Sequence, residues 1–235
     1  MTYHTNTFLG YLPHAQRVQM AHRCETVELS LSQVLSEPGQ PMSHVYFPVD
    51  SFLSVVVKVD THHGLEVGMV GREGMLGSEL ALGLAGSPFH TLVQGAGGCL
   101  RMQTSDFHTQ LEHSKALQTV CHNYLLVRLH QLARAAACER FHMIGPRLAR
   151  WLLMSQDRAH TSTFYMTHEF MALMLGVRRV GVTMAAGALQ RSGVIEYRRG
   201  TLTVLDRTAL ATQACSCYTA DKATYLALMG TPASG

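Results

Sequence analysis

Hydrophobic positions in the first hundred residues recur with a period of two. Val27-Glu28-Leu29-Ser30-Leu31 alternates apolar and polar side chains, as a strand with one buried face does. Similar runs occur at 44–49, 52–57, 65–70, 90–94 and 99–102, with turn-forming clusters at Glu37–Pro41 and Thr61–Gly64. A short helical lead-in is expected over 8–22. Short strands with turns every 8–12 residues predict a jelly-roll-like β-roll over residues 1–106.

The period changes at Ser105-Asp106, either of which can cap a helix. From Phe107 to Cys138 there is neither Gly nor Pro, so the spacing predicts one helix about 48 Å long. Leu117, Cys121, Leu125, Leu129, Leu132 and Ala136 form a mixed 3–4 stripe along it. A stripe of that length suits a two-stranded helical seam, and 107–138 is read as a dimerisation helix.

Residues 146–156 form a further helix with Pro146 in its first turn. A loop follows, ending in the extended Phe164-Tyr165-Met166. Thr167 then caps an amphipathic helix running to Leu175, Gly176 turns the chain, and a second helix is expected over 177–190. Gly193–Arg198 and Thr201–Leu205 alternate around Arg199-Gly200, which predicts a tight hairpin. Helix, glycine turn, helix and hairpin is the order of a winged helix-turn-helix, assigned to 139–206, with a helical tail over 207–235. The fold class expected is therefore α+β. In such a motif the second helix enters the major groove, N-terminal side chains leading. Arg178, Arg179 and Thr183 are placed to reach DNA, Arg198 and Arg199 to lie on phosphates, and Thr167 and His168 open the first helix of the set.

Charge distribution supports this division. Residues 1–139 hold eight cationic and eleven acidic side chains, net −3, whereas 140–206 hold nine and four, net +5. All nine cations of the second block are arginine, the side chain best suited to bidentate phosphate and guanine contacts. With 47% hydrophobic and 15% charged residues the composition is that of a globular chain, and no apolar run approaches the ~18 residues of a membrane span. The N-terminus lacks a basic run followed by an apolar stretch, so a cytoplasmic protein without membrane association is expected. The six cysteines are scattered and none forms C-x-x-C. They read as unpaired thiols, and no metal ligands are assigned.

On Val45-Tyr46-Phe47, Gly71-Arg72-Glu73-Gly74-Met75-Leu76-Gly77, the long helix from Phe107, and Thr167 through Leu205, the chain resembles the Crp/Fnr superfamily of bacterial transcription regulators over nearly its whole length. The resemblance implies a cyclic-nucleotide-binding-like roll, a dimer helix and a winged helix. It also implies homodimers on two-fold, palindromic double-stranded DNA sites and contact with RNA polymerase. It places an effector pocket at Gly77, Ser78, Glu79, Leu80, Phe89, His90 and Thr91, and adds Val180 and Met184 to the DNA-reading helix. Two departures follow. Gly77-Ser78-Glu79-Leu80 carries its glutamate one place later than cyclic AMP-binding relatives. No Arg or Lys lies between Arg72 and Arg101, where Phe89-His90 stands in place of a phosphate-binding arginine. A buried phosphate without a cation is costly, so an effector other than cyclic AMP is expected.

Other chemistries are weaker. His62-His63 reads as a solvated loop pair, and His108, His113, His122 and His130 lie on or near the long helix. A haem- or metal-dependent sensor could use Cys121 and His122 beside the roll. The N-terminal cysteine cluster of iron–sulfur relatives is missing, only Cys24 preceding the roll. A ligand-binding module without DNA function, or a hydrolase using Ser78-Glu79, is the remaining alternative. No catalytic residues and no cofactor are assigned.

Overall fold

The computed structural model describes residues 6–58 and 64–232. The Thr61–Gly64 turn and the His62-His63 pair therefore lie, apart from Gly64, outside the described residues. The chain forms two compact units, one of residues 1–56, 68–131 and 223–235, the other of 57–67 and 132–222.

Two sheets lie in the first unit, save Val57 and Leu65–Val67, which belong to the second. Strands β1 (Glu25–Leu29), β7 (Gly97–Gln103) and β3 (His44–Pro48) form one, in the order β1-β7-β3; β2 (Val34–Ser36), β6 (His90–Gly95), β4 (Phe52–Val57) and β5 (Leu65–Val70) form the other, in the order β2-β6-β4-β5. Each expected strand of the roll has a counterpart, and β2 is additional. The first lies two residues earlier than the alternation suggests, ending at Leu29: Ser32 takes a left-handed φ of 65° and Leu31 is exposed. The lead-in is split by Pro13 into a 3-10 turn at Leu9–Tyr11 and helix α1 (His14–Arg23). Phe8, Leu9 and Leu12 join Val45, Phe47, Met102, Phe107 and Tyr124 in one buried core. At about 25 cal/mol per Å² of apolar surface, such aromatic and aliphatic burial is the main force holding sheet to helix.

The expected single helix from Phe107 is two. Helix α2 (Thr104–His113) ends at Ser114, whose backbone is extended, and α3 runs from Lys115 to Phe141. Ser114 stabilises the break from both sides. Its hydroxyl accepts from Leu117 N at 3.0 Å and donates to Gln16 Oε1, while Gln118 Nε2 donates to the Leu111 carbonyl, which also accepts from Ser114 N. A serine that caps locally substitutes for the glycine or proline that would normally announce such a break.

In the second unit, helix α4 (Ile144–Ala159) packs with α5 (His168–Leu175) and α6 (Arg179–Arg191), and a small sheet has the order β8 (Thr163–Tyr165), β10 (Thr201–Val204), β9 (Ile195–Arg198). Leu148, Leu152, Met171, Val182, Leu189, Ile195 and Leu202 are fully buried among these elements. Helices α7 (Arg207–Gln213) and α8 (Cys217–Met229) complete the chain. No single helix among the described residues is long and apolar enough to cross a membrane.

Candidate nucleic-acid interface

Thr167 caps α5 as its sequence position implies, its hydroxyl accepting from Phe170 N at 3.1 Å. Gly176 ends α5 in the left-handed region, φ 62°, and Val177 N reaches back to the Ala172 carbonyl at 3.0 Å, closing a Schellman-type cap. A Cβ at Gly176 would also lie 2.7 Å from Leu65 Cδ1, so glycine is required by backbone and by space. The chain turns through 110° between α5 and α6, within the range of helix-turn-helix pairs.

Helix α6 begins at Arg179, two residues later than the pattern suggests, because Arg178 is still extended. Val182, Ala186 and Leu189 face the core; Arg179, Val180, Thr183 and Met184 face out, Val180 63% and Met184 71% exposed. Gly181, a poor helix former, has a packing reason: a Cβ there would meet Ile144 Cδ1 of α4 at 2.6 Å.

The wing turn is Arg199-Gly200, with φ 50° and 84°, the two positive values of a type I′ hairpin joining Arg198 to its partner Thr201. Both Arg198 and Arg199 are exposed. A cleft of about 360 Å³ lies between the α5 N-terminus, the start of α6 and this turn, lined among others by Thr167, His168, Arg179, Tyr197 and Arg199. His168 stacks on Tyr197 at 4.3 Å. Its Nδ1 is 3.0 Å from Thr183 Oγ1, and Thr183 Oγ1 donates its proton to the Arg179 carbonyl. His168 Nδ1 is therefore the donor in that bond. Burial, and then the Arg179 charge, hold its pKa below the usual imidazole value, consistent with a neutral ring at pH 7. His168 and Thr183 thus brace the start of α6.

The nine arginines divide. Arg147 bonds Glu139 and the Leu175 carbonyl at the end of α5, Arg150 pairs with Asp221 at 2.7 Å, and Arg158 donates to the Met154 carbonyl. These three hold the unit together. Arg140, Arg178, Arg179, Arg191, Arg198 and Arg199 are exposed.

Residues 146–212 match the family model of the Crp-like helix-turn-helix domain. The match is confined to this segment of the chain. It spans α4 through α7 and includes the wing. A comparison with curated proteins finds no match. Among solved structures the chain is similar to a transcriptional regulator of the Crp/Fnr family from Eubacterium rectale, at 16% identity over 86% of this chain and 94% of that one, TM-score 0.67. It is also similar to FixK2 from Bradyrhizobium japonicum, at 12% identity over 82% and 98%, TM-score 0.68. A third is a c-di-GMP-responsive global regulator from Xanthomonas campestris, at 14% identity over 83% and 100%, TM-score 0.64. The chain has the α+β fold of Crp/Fnr-type regulators: roll, long central helix and Crp-like domain.

The other expected sites fare differently. In the roll, Gly77 is left-handed at φ 97° and opens a 3-10 turn at Ser78–Leu82, where Ser78 Oγ donates to Glu79 Oε2 at 3.2 Å. Leu80 is buried in the core. His90 Nδ1 sits 2.9 Å from Glu37 Oε2, and the Phe89 carbonyl accepts from Ser36, so this stretch is engaged by β2 and the turn after it. Thr91 Oγ1 and the Gln94 amide are buried without a partner among the described residues.

Two of the expected seam residues face inward. Leu117, 1% exposed, and Cys121 belong to the core of their own roll, because the first turns of α3 pack on it. Leu125 and Leu132 are half-buried, and Leu129 and Ala136 are exposed. The outward stripe is Leu126, Leu129, Ala133 and Ala136. Cys121 and His122 do not converge on one ligand either, since Cys121 is fully buried, its thiol pushed up to about 12, and His122 is exposed.

Proposed function

We propose that this chain is a sequence-specific, homodimeric DNA-binding transcription regulator of the Crp/Fnr type, acting in the cytoplasm on palindromic double-stranded sites and touching RNA polymerase there. The observation that carries the proposal is that Arg179, at the start of α6, and Arg199, at the wing turn, line one cleft. A helix in the major groove and a wing on the flanking backbone need cations at those two places. Arg178, Arg179, Val180 and Met184 would read the groove, the apolar pair through thymine methyls, with Arg198 and Arg199 on phosphates and Thr167 and His168 beside them. The test is site selection from random duplexes followed by fluorescence anisotropy. The selected site is expected to bind at least about a thousandfold tighter than random duplex at equal salt. Equal affinity for both would remove the proposal.

The roll would act as the effector-sensing element over residues 1–106, and 107–138 as the dimer helix. The sensing pocket would lie at Gly77–Leu80 and Phe89–Thr91, where Thr91 and Gln94 supply free hydrogen-bonding groups rather than a cation. Such a pocket suits an uncharged polar ligand. Cyclic AMP affinity no better than roughly millimolar, about −4 kcal/mol, is expected by calorimetry. A micromolar constant lost in Glu79→Ala would restore the cyclic nucleotide.

A further inference from the structure

We propose that Cys138, His142, Cys215 and Cys217 form a binding site for a single tetrahedral metal ion of the zinc type. The sequence holds no C-x-x-C and by itself names no metal ligands. The four residues converge only in three dimensions, within the second unit. Cys138 lies in the last turns of α3, and His142 follows one turn later, its backbone N–H still bonded to the Cys138 carbonyl at 3.0 Å. The spacing i, i+4 puts their side chains on one face. Cys215 lies in the link between α7 and α8, and Cys217 opens α8. Cys215 is pinned there because its N–H donates to the Pro146 carbonyl of α4 at 3.2 Å.

The three sulfurs and one imidazole nitrogen all lie within 4.8 Å of one another. Cys138 Sγ is 3.6 Å from Cys215 Sγ, and Cys217 Sγ is 3.6 Å from His142 Nδ1. An ion held tetrahedrally at about 2.3 Å from sulfur and about 2.0 Å from nitrogen sets its ligands roughly 3.8 Å apart for S···S and roughly 3.5 Å for S···N. The two contacts already have the lengths of such a tetrahedron's edges. All three cysteines are buried, and His142 is half-buried. A four-iron cluster carries each ligand on a different iron and needs a wider ring of ligand atoms. The spacing therefore selects one ion. Three thiolates and a neutral imidazole match zinc over magnesium or calcium, which take oxygen. Bound zinc would leave the centre with one net negative charge. Arg150 stands close enough to act on Cys138 and Cys215 as the balancing cation, held in place by its 2.7 Å bond to Asp221. Cysteines do pack as small apolar side chains, and three of them buried together would need no ion. A histidine ring nitrogen turned toward those sulfurs is what apolar packing has no reason to supply. The ion would tie the end of α3 to the α7–α8 link, clamping segments more than seventy residues apart in the chain.

The full-length chain, purified in reductant without chelator, is loaded with zinc and desalted, and its metal content is measured by plasma mass spectrometry. About one zinc per chain is expected. Cobalt in place of zinc should give the intense visible bands of a tetrahedral centre and a near-ultraviolet thiolate charge-transfer band. Cys138→Ser with Cys217→Ser should lose both metal and bands, and Cys24→Ser should keep them. Should the double variant fail to fold, alkylation of the wild-type chain decides. Cys138, Cys215 and Cys217 become modified after chelation and are protected in the zinc-loaded form, with Cys99 and Cys121 unchanged between the two. Less than about a tenth of an equivalent of zinc, a cobalt spectrum without thiolate bands, or the same alkylation with and without metal overturns the proposal. A Cys138–Cys215 disulfide in a reduced-and-reoxidised chain that takes up no ion when reduced does so as well.

Discussion

Replacing Leu126 and Leu129 together by glutamate is expected to leave the chain monomeric and to cost 10²- to 10⁴-fold in affinity for a palindromic site, taking the usual gain of roughly that size from binding two half-sites at once. Leu126 is 46% and Leu129 60% exposed, on a helix whose other face buries Leu117, Cys121 and Val127. With Ala133 and Ala136 they line the outward side of α3 at spacings of three and four. Small side chains next to two leucines let a second helix approach closely. Across a two-fold seam the substitutions place four carboxylates where none has a partner, and each unpaired buried charge costs about 3–5 kcal/mol. Because both leucines project into water from the single chain, the variant should fold, and circular dichroism should match wild type. Sedimentation velocity at micromolar concentration reads the outcome. A monomeric wild type, or a double variant that stays dimeric, removes α3 as the seam.

Arg179→Ala and Arg199→Ala should weaken DNA binding in different ways. Arg179 stands at the N-terminus of α6, where a guanidinium can meet a guanine edge bidentately. Its loss should cost about 1–3 kcal/mol, roughly five- to 150-fold, on the selected site and relax the preference at one base pair. Arg199 sits on a type I′ turn at the wing, outside α6. Its loss should weaken all duplexes alike and lower the slope of log K against log salt by about one. Anisotropy titrations of both variants at several salt concentrations, on the selected site and on a scrambled one, separate the two. If both variants bind the selected site as wild type does, α6 is not the reading helix. Thr183→Val provides a contrast. Its hydroxyl braces the Arg179 carbonyl and His168, so its loss should act through the orientation of α6.

Much of the second unit was legible in the residues because its signals are local. A threonine cap, a glycine that must be left-handed, a buried face every three to four residues and an arginine-glycine turn each declare themselves within a few positions. The central helix was legible in extent but not in detail. Its expected stripe joined residues from two faces, because a 3–4 repeat does not say which face meets the chain's own core. The break at Ser114 carries no glycine or proline: a serine that caps Leu117 N and bonds Gln16, far upstream, takes their place. The division of the arginines was likewise invisible. Arg147 looks like part of a basic patch until the Leu175 carbonyl and Glu139 are found beside it.

The sequence by itself determined the period of each segment, and through it the order of roll, long helix and helix-turn-helix, since backbone geometry converts spacing directly into buried faces. It also set the positions where only a cap, a turn or a glycine would serve. Tertiary structure alone decided the rest. It turned Leu117 and Cys121 inward and left Leu126 and Leu129 outward. It drew Arg179 and Arg199 to one cleft, and it gathered Cys138, His142, Cys215 and Cys217 within 4.8 Å. The reason is the same in each case: these arrangements depend on which distant segments pack against one another, and contacts between residues 20 to 80 positions apart carry no periodic signature along the chain.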